Sequence, residues 1–184
     1  MRLPNLVRVT GGALLLALLS GCVPPGAATP PEPTATFVAP YATDEEALAA
    51  AETAYAEYTR VSDQIFVDGG ARPERLAEVA VGSFLELSIE SYEGFEQEGK
   101  SRIGAPTASD FILQRYSPGT GPKEVLTVYV CRDVSSVDVL DSDGISLVRE
   151  GRADRSTMQV TFDWDSARTR LLVSDQQLWG TADC

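Results

Sequence analysis

The chain has 184 residues, with 15 basic and 27 acidic side chains and no histidine. The missing imidazole excludes a Ser-His-Asp or Cys-His catalytic site, a histidine metal ligand and a histidine pH switch. A net charge of −12 repels nucleic acid and anionic lipid surfaces at long range, so nucleic-acid binding is set aside.

Residues 1–21 have the three parts of a secretory signal. Arg2 and Arg8 supply the positive end, and no acidic residue precedes Glu32. The apolar stretch Ala13 to Leu19 is well short of the roughly 20 residues that cross a bilayer as a helix. Leu19-Ser20-Gly21-Cys22 closes that stretch and resembles a bacterial lipobox. The resemblance implies cleavage before Cys22, a diacylglyceryl thioether on its thiol, and a lipid anchor at the extracytoplasmic face of the cell membrane. Each buried methylene adds about 0.8 kcal/mol, so two long chains hold far more durably than one. The competing reading is a short helix that happens to end in cysteine. No later segment is apolar for long enough to span, which leaves lipid as the membrane attachment. Removing residues 1–21 leaves 13 basic and 27 acidic side chains, a net −14.

With Cys22 committed to lipid, Cys131 and Cys184 remain. Either they pair, as suits a compartment outside the cytoplasm, or they stay as two free thiols. Residues 22–42 form a tether rich in proline, alanine and threonine, with Pro24-Pro25, Pro30-Pro31, Pro33 and Pro40. Proline fixes its own φ and biases its predecessor toward extended shapes, so this spacer is semi-rigid and reaches on the order of 50–60 Å. A single globular domain follows over 43–184.

Thr43 followed by Glu46 predicts a capping box, with Asp44 and Glu45 favourable at the positive end of a helix. Leu48, Ala51, Tyr55 and Tyr58 recur at helical spacing toward Ile65, and Asp68-Gly69-Gly70 stops the pattern. Pro73 suits a first helical position, and a short helix is expected over 75–80. Gly82 interrupts it. Leu85, Ile89 and Tyr92 then form another apolar stripe, with Glu86, Glu90, Glu93, Glu96 and Glu98 as its solvated face. After Gly99 the period changes. Strands are predicted at 111–116 and 125–131, the latter rich in β-branched and aromatic residues. Extended backbone continues over 137–140 and Asp143-Gly144 marks a turn. Met158, Val160, Phe162 and Trp164 alternate on one face, Asp165 to Thr169 turns, and Leu171 to Trp179 forms a last strand. Helices first and antiparallel strands afterwards argue for α+β, with helices packed on a curved sheet.

This order resembles the NTF2-like (cystatin-like) α+β cone, and more narrowly the small actinobacterial lipoproteins of that type. The residues carrying the likeness are Cys131-Arg132-Asp133-Val134-Ser135, Asp143-Gly144, Trp179 and the terminal Cys184. The resemblance implies a Cys131–Cys184 disulfide. Steroid isomerases and polyketide cyclases share the fold order, and their use of a buried carboxylate with a tyrosine implies Asp110, Tyr116, Tyr129 and Asp163 as candidates for a cone interior.

No catalytic, cofactor or metal-binding residue is assigned. Asp141-Ser142-Asp143-Gly144 lacks the spacing of a calcium loop, and Gly119-Thr120-Gly121-Pro122 lacks the end of a phosphate loop. The expected function is a non-catalytic binding or accessory domain outside the cytoplasmic membrane. A pocket for a small apolar or amphipathic ligand is expected at Tyr116, Tyr129 and Trp164, with core packing of these rings as the competing reading. The alternatives are a scaffold that binds another envelope protein and a carboxylate-dependent isomerase or hydrolase.

Overall fold

The computed structural model describes residues 40–117, 121–180 and 184. The chain divides into one unit over 1–34 and another over 35–184, and all described residues belong to the second. Cys22 and the signal segment lie outside the described residues, as does the tether up to residue 39.

Helix α1 spans Asp44–Val67, and Thr43 caps it, its Oγ1 accepting from the Glu46 backbone N–H at 3.2 Å. The Glu46 carboxylate accepts in return from the Ala42 N–H at 2.9 Å, one residue earlier than a capping box provides. Ala47, Ala51 and Tyr55, four apart, are buried. The two alanines let the helix lie close against the sheet, and the tyrosine fills the wider gap beyond. Gly69 and Gly70 end α1 at φ 69° and 94°. A Cβ at Gly70 would lie 2.5 Å from the Tyr92 carbonyl, so this turn needs glycine for close approach as well as for its dihedral.

Pro73–Glu78 is a 3-10 helix opened by the proline, tighter and earlier than the helix expected over 75–80. Gly82, expected as an interruption, opens α2 (Gly82–Gln97) at φ 68°. Tyr92 and Phe95 are buried, while Glu86, Glu90, Glu93, Glu96 and Glu98 are exposed. No helix among the described residues is long and apolar enough to cross a membrane.

The strands make two antiparallel sheets. Short β1 (Ser101–Ile103) pairs with β4 (Asp138–Leu140). The larger, open sheet has the order β2 (Thr107–Tyr116), β3 (Leu126–Asp133), β5 (Arg155–Asp165), β6 (Arg170–Gly180). The architecture is α+β, with the helices on one face. Strand β1 was not anticipated: its three residues are too few for a period-2 signal, and pairing with β4 sets its conformation. Strand β2 starts four residues before the expected 111, across a bulge at Asp110, where φ is +53°.

Alternation sorts the sheet faces. Leu126, Val128 and Val130 of β3, Val160 and Phe162 of β5, and Leu171 and Val173 of β6 form one core with Ala47, Ala51 and Tyr55. A second cluster joins Val61 and Ile65 to Leu76, Val79, Ala80 and Tyr92. The Val173 backbone ties the 3-10 segment to the sheet edge, donating to Val79 O at 3.0 Å and accepting from the Val81 N–H at 2.9 Å. Cys131 stands in the opposite phase on β3 and forms a disulfide with Cys184.

Candidate functional site

A cleft of about 310 Å³ opens between α1 and α2. Tyr58, Ser62 and Phe66 recur every four residues on α1, and Phe84, Ser88 and Tyr92 do the same on α2. That spacing stacks each trio on one helical face. The rings meet in pairs, Tyr58 with Phe84 at 5.8 Å and Phe66 with Tyr92 edge-on at 4.9 Å. Where the walls are polar they are mutually satisfied: Ser62 Oγ and Tyr92 Oη lie 2.7 Å apart.

Arg132 of β3 and Gln176 of β6 complete the lining. Arg132 continues the inward row Leu126, Val128, Val130, so its side chain belongs to the helix side of the sheet. Gln176 gets there by a bulge. Val173 pairs with Phe162 and Asp175 with Thr161, so β6 advances two residues while β5 advances one. The inward phase thereby moves from odd to even positions. Gln176 then pairs with the core residue Val160, and its Oε1 accepts from the Tyr55 hydroxyl at 3.4 Å.

Two arginines approach this region and are treated differently. Arg102 stacks over the Phe66 ring at 4.5 Å and pairs with Asp63 at 2.9 Å, its side chain only 5% exposed. Asp63 is thereby taken. Other half-buried arginines are also engaged: Arg75 by Asp68, Arg155 by Asp110 and Asp133, Arg152 by the Val134 and Val137 carbonyls, Arg170 by the Glu78 carbonyl. Half-buried Arg132 has no ion-pair or hydrogen-bond partner among the described residues.

Burial holds the phenols of Tyr55, Tyr58 and Tyr92 in their neutral form, raising each pKa, and the charge of Arg132 partly opposes this at all three. Tyr41 is pushed up to about 12 by burial and by the neighbouring Tyr116. A phenol whose folded pKa is raised contributes stability that is fully present below its unfolded value of about 10 and is lost as pH rises through the folded value. Titration followed at 295 nm should therefore show Tyr41, Tyr55, Tyr58 and Tyr92 ionising later in the folded chain than in urea, with unfolding setting in above about pH 10. Ionisation of all six tyrosines near pH 10 with the fold intact would contradict this packing.

Tyr116, Tyr129 and Trp164, the expected pocket residues, line no common cavity. Tyr116 Oη donates to the Tyr41 carbonyl at 2.8 Å and accepts from its N–H at 3.0 Å. Trp164 meets the Tyr41 ring edge-on at 5.9 Å and borders a separate depression of about 350 Å³ with Leu85, Lys123 and Leu172. Tyr129 is on the opposite face of the sheet, its ring 5.0 Å from that of Trp179. Of the interior carboxylates considered, Asp110 is exposed on the β2 bulge, 3.8 Å from Arg155. Asp163 accepts from the Glu124 N–H at 2.7 Å and borders the same depression as Trp164 and Leu85. Neither lines the α1–α2 cleft. Sequence reasoning named Arg132 only within the family likeness and passed over Gln176. The signal for Arg132 was present, a cation in the inward phase of the most apolar strand. The bulge hid Gln176.

No protein-family model and no curated protein matches the sequence. A structural likeness does exist. The crystal structure of the intermembrane space region of the chloroplast protein ARC6 is similar at a TM-score of 0.54 and 15% identity. The match covers 76% of this chain and 99% of that one. At this identity the likeness concerns the fold alone, and it places the chain beside another small α+β domain.

Proposed function

We propose that the chain is a lipid-anchored lipoprotein of the extracytoplasmic membrane face, whose non-catalytic domain receives a small ligand in the α1–α2 cleft. The observation that carries this reading is the pairing of aromatic walls with a polar floor, the composition of a ligand site. The lipobox resemblance and the proline-rich tether support the anchor, and helices preceding an antiparallel sheet support an NTF2-like cone. The aromatic walls and polar floor of the cleft favour binding over the isomerase reading.

Cys22→Ser should move the protein from the membrane to the soluble fraction, and retention in the membrane would refute the anchor. Native mass spectrometry of protein taken from its own membrane should show a bound small molecule, and its absence would count against the ligand role. A second reading, a scaffold for an envelope protein, is favoured by the outward sheet face. There Ile112 and Trp179 are each 61% exposed on either side of Tyr129. Photo-crosslinking from Ile112 would capture one reproducible partner if that reading holds.

A further inference from the structure

We infer that the cleft selects an amphipathic molecule with a carboxylate head, and that Arg132 is the counter-charge for that head. The inference rests on the cleft being a ligand site and adds the chemical class of its occupant. A half-buried guanidinium loses hydration and normally recovers it from a carboxylate or a carbonyl. Each of the other half-buried arginines has a carboxylate or a carbonyl on at least one guanidinium nitrogen, and the nearby carboxylate that could have served, Asp63, is held by Arg102. Among the described residues the forked donors of Arg132 have no partner, in a cleft walled mainly by aromatic rings and serines.

Further donors converge there. The Tyr58 hydroxyl and the amide NH2 of Gln176 have no protein partner among the described residues, the Gln176 oxygen being occupied by Tyr55. A planar fork flanked by neutral donors matches the two oxygens of a carboxylate. Phe66 and Phe84 supply apolar surface for the body, and about 310 Å³ stands at the small end of ligand clefts, which run from about 300 to 1,000 Å³. The negative charge of the protein does not forbid an anion here. Exposed charges are screened beyond about 8–10 Å, whereas a guanidinium in contact within a cleft is screened far less.

The test compares 4-phenylbutanoate with 4-phenylbutan-1-ol, the same body with a neutral head, on the full mature chain at pH 7 by calorimetry and protein-observed NMR. The acid is expected to bind roughly tenfold to a hundredfold tighter. Arg132→Met should remove the preference, bringing the acid-to-alcohol affinity ratio down to about one. Arg132→Lys, a point charge without the fork, should keep part of the preference. Leu87→Glu provides a variant that does not disturb the core, since Leu87 lines the cleft and is 66% exposed. It should weaken the acid more than the alcohol, lowering the acid-to-alcohol ratio, and that ratio decides the matter if Arg132→Met fails to fold. Equal binding of acid and alcohol, or an acid preference that survives Arg132→Met, overturns the head-group assignment and leaves the cleft as a ligand site. Failure of both compounds to shift cleft resonances overturns the ligand site itself.

Discussion

Phe162→Ala should lower the stability of the domain by about 3–5 kcal/mol, the range for truncating a fully buried aromatic residue. Phe162 is completely buried on the middle of β5, in the cluster where Ala47 and Ala51 bring α1 down onto the sheet. The helix is held there by small side chains and has little freedom to move inward. The vacated volume therefore persists as a cavity, which is what sets the upper part of that range. For a domain of this size the loss corresponds to a fall in Tm on the order of 10–20 °C. Urea unfolding of the chain, followed by circular dichroism, measures it. A loss below about 1 kcal/mol would mean that this core is not the one described.

Removing the disulfide by Cys131→Ser with Cys184→Ser should be comparably costly. The two cysteines are separated by 53 positions, and the chain-entropy account of a loop that long gives about 4 kcal/mol. The bridge ties Cys184 to β3, an interior strand flanked by β2 and β5. Reduction should therefore lower the urea midpoint without rearranging the inward core, which lies on the other face. Stability unchanged in the double variant, or both thiols alkylatable in the native protein, would contradict the bridge.

The main elements could be read from the sequence because their signals are local. Thr43 and Glu46 mark the start of α1, the glycines after Asp68 mark its end, and the alternation from Met158 to Trp164 gives the inward face of β5. The outcomes that differed depend on register and pairing. Strand β1 exists because β4 lies beside it. Asp110 occupies a bulge that no period-2 pattern displays, which moved the start of β2 and placed that carboxylate at the surface. The same physics governed the site. Tyr58 and Tyr92 were visible as helix stripes, but their partnership across the cleft depends on how α1 and α2 face each other. Gln176 reaches the cleft only because the β6 strand skips one residue. Tyr116, Tyr129 and Trp164 could not be sorted into sheet faces until the register was known. It sends Tyr129 outward and gathers the other two around Tyr41.

A crystal structure of the chain grown with 4-phenylbutanoate tests the central claim most directly. The carboxylate is expected within hydrogen-bonding distance of the Arg132 guanidinium, with the phenyl ring between Phe66 and Phe84. An empty cleft at saturating ligand, with Arg132 turned to a carboxylate of its own chain, would contradict it.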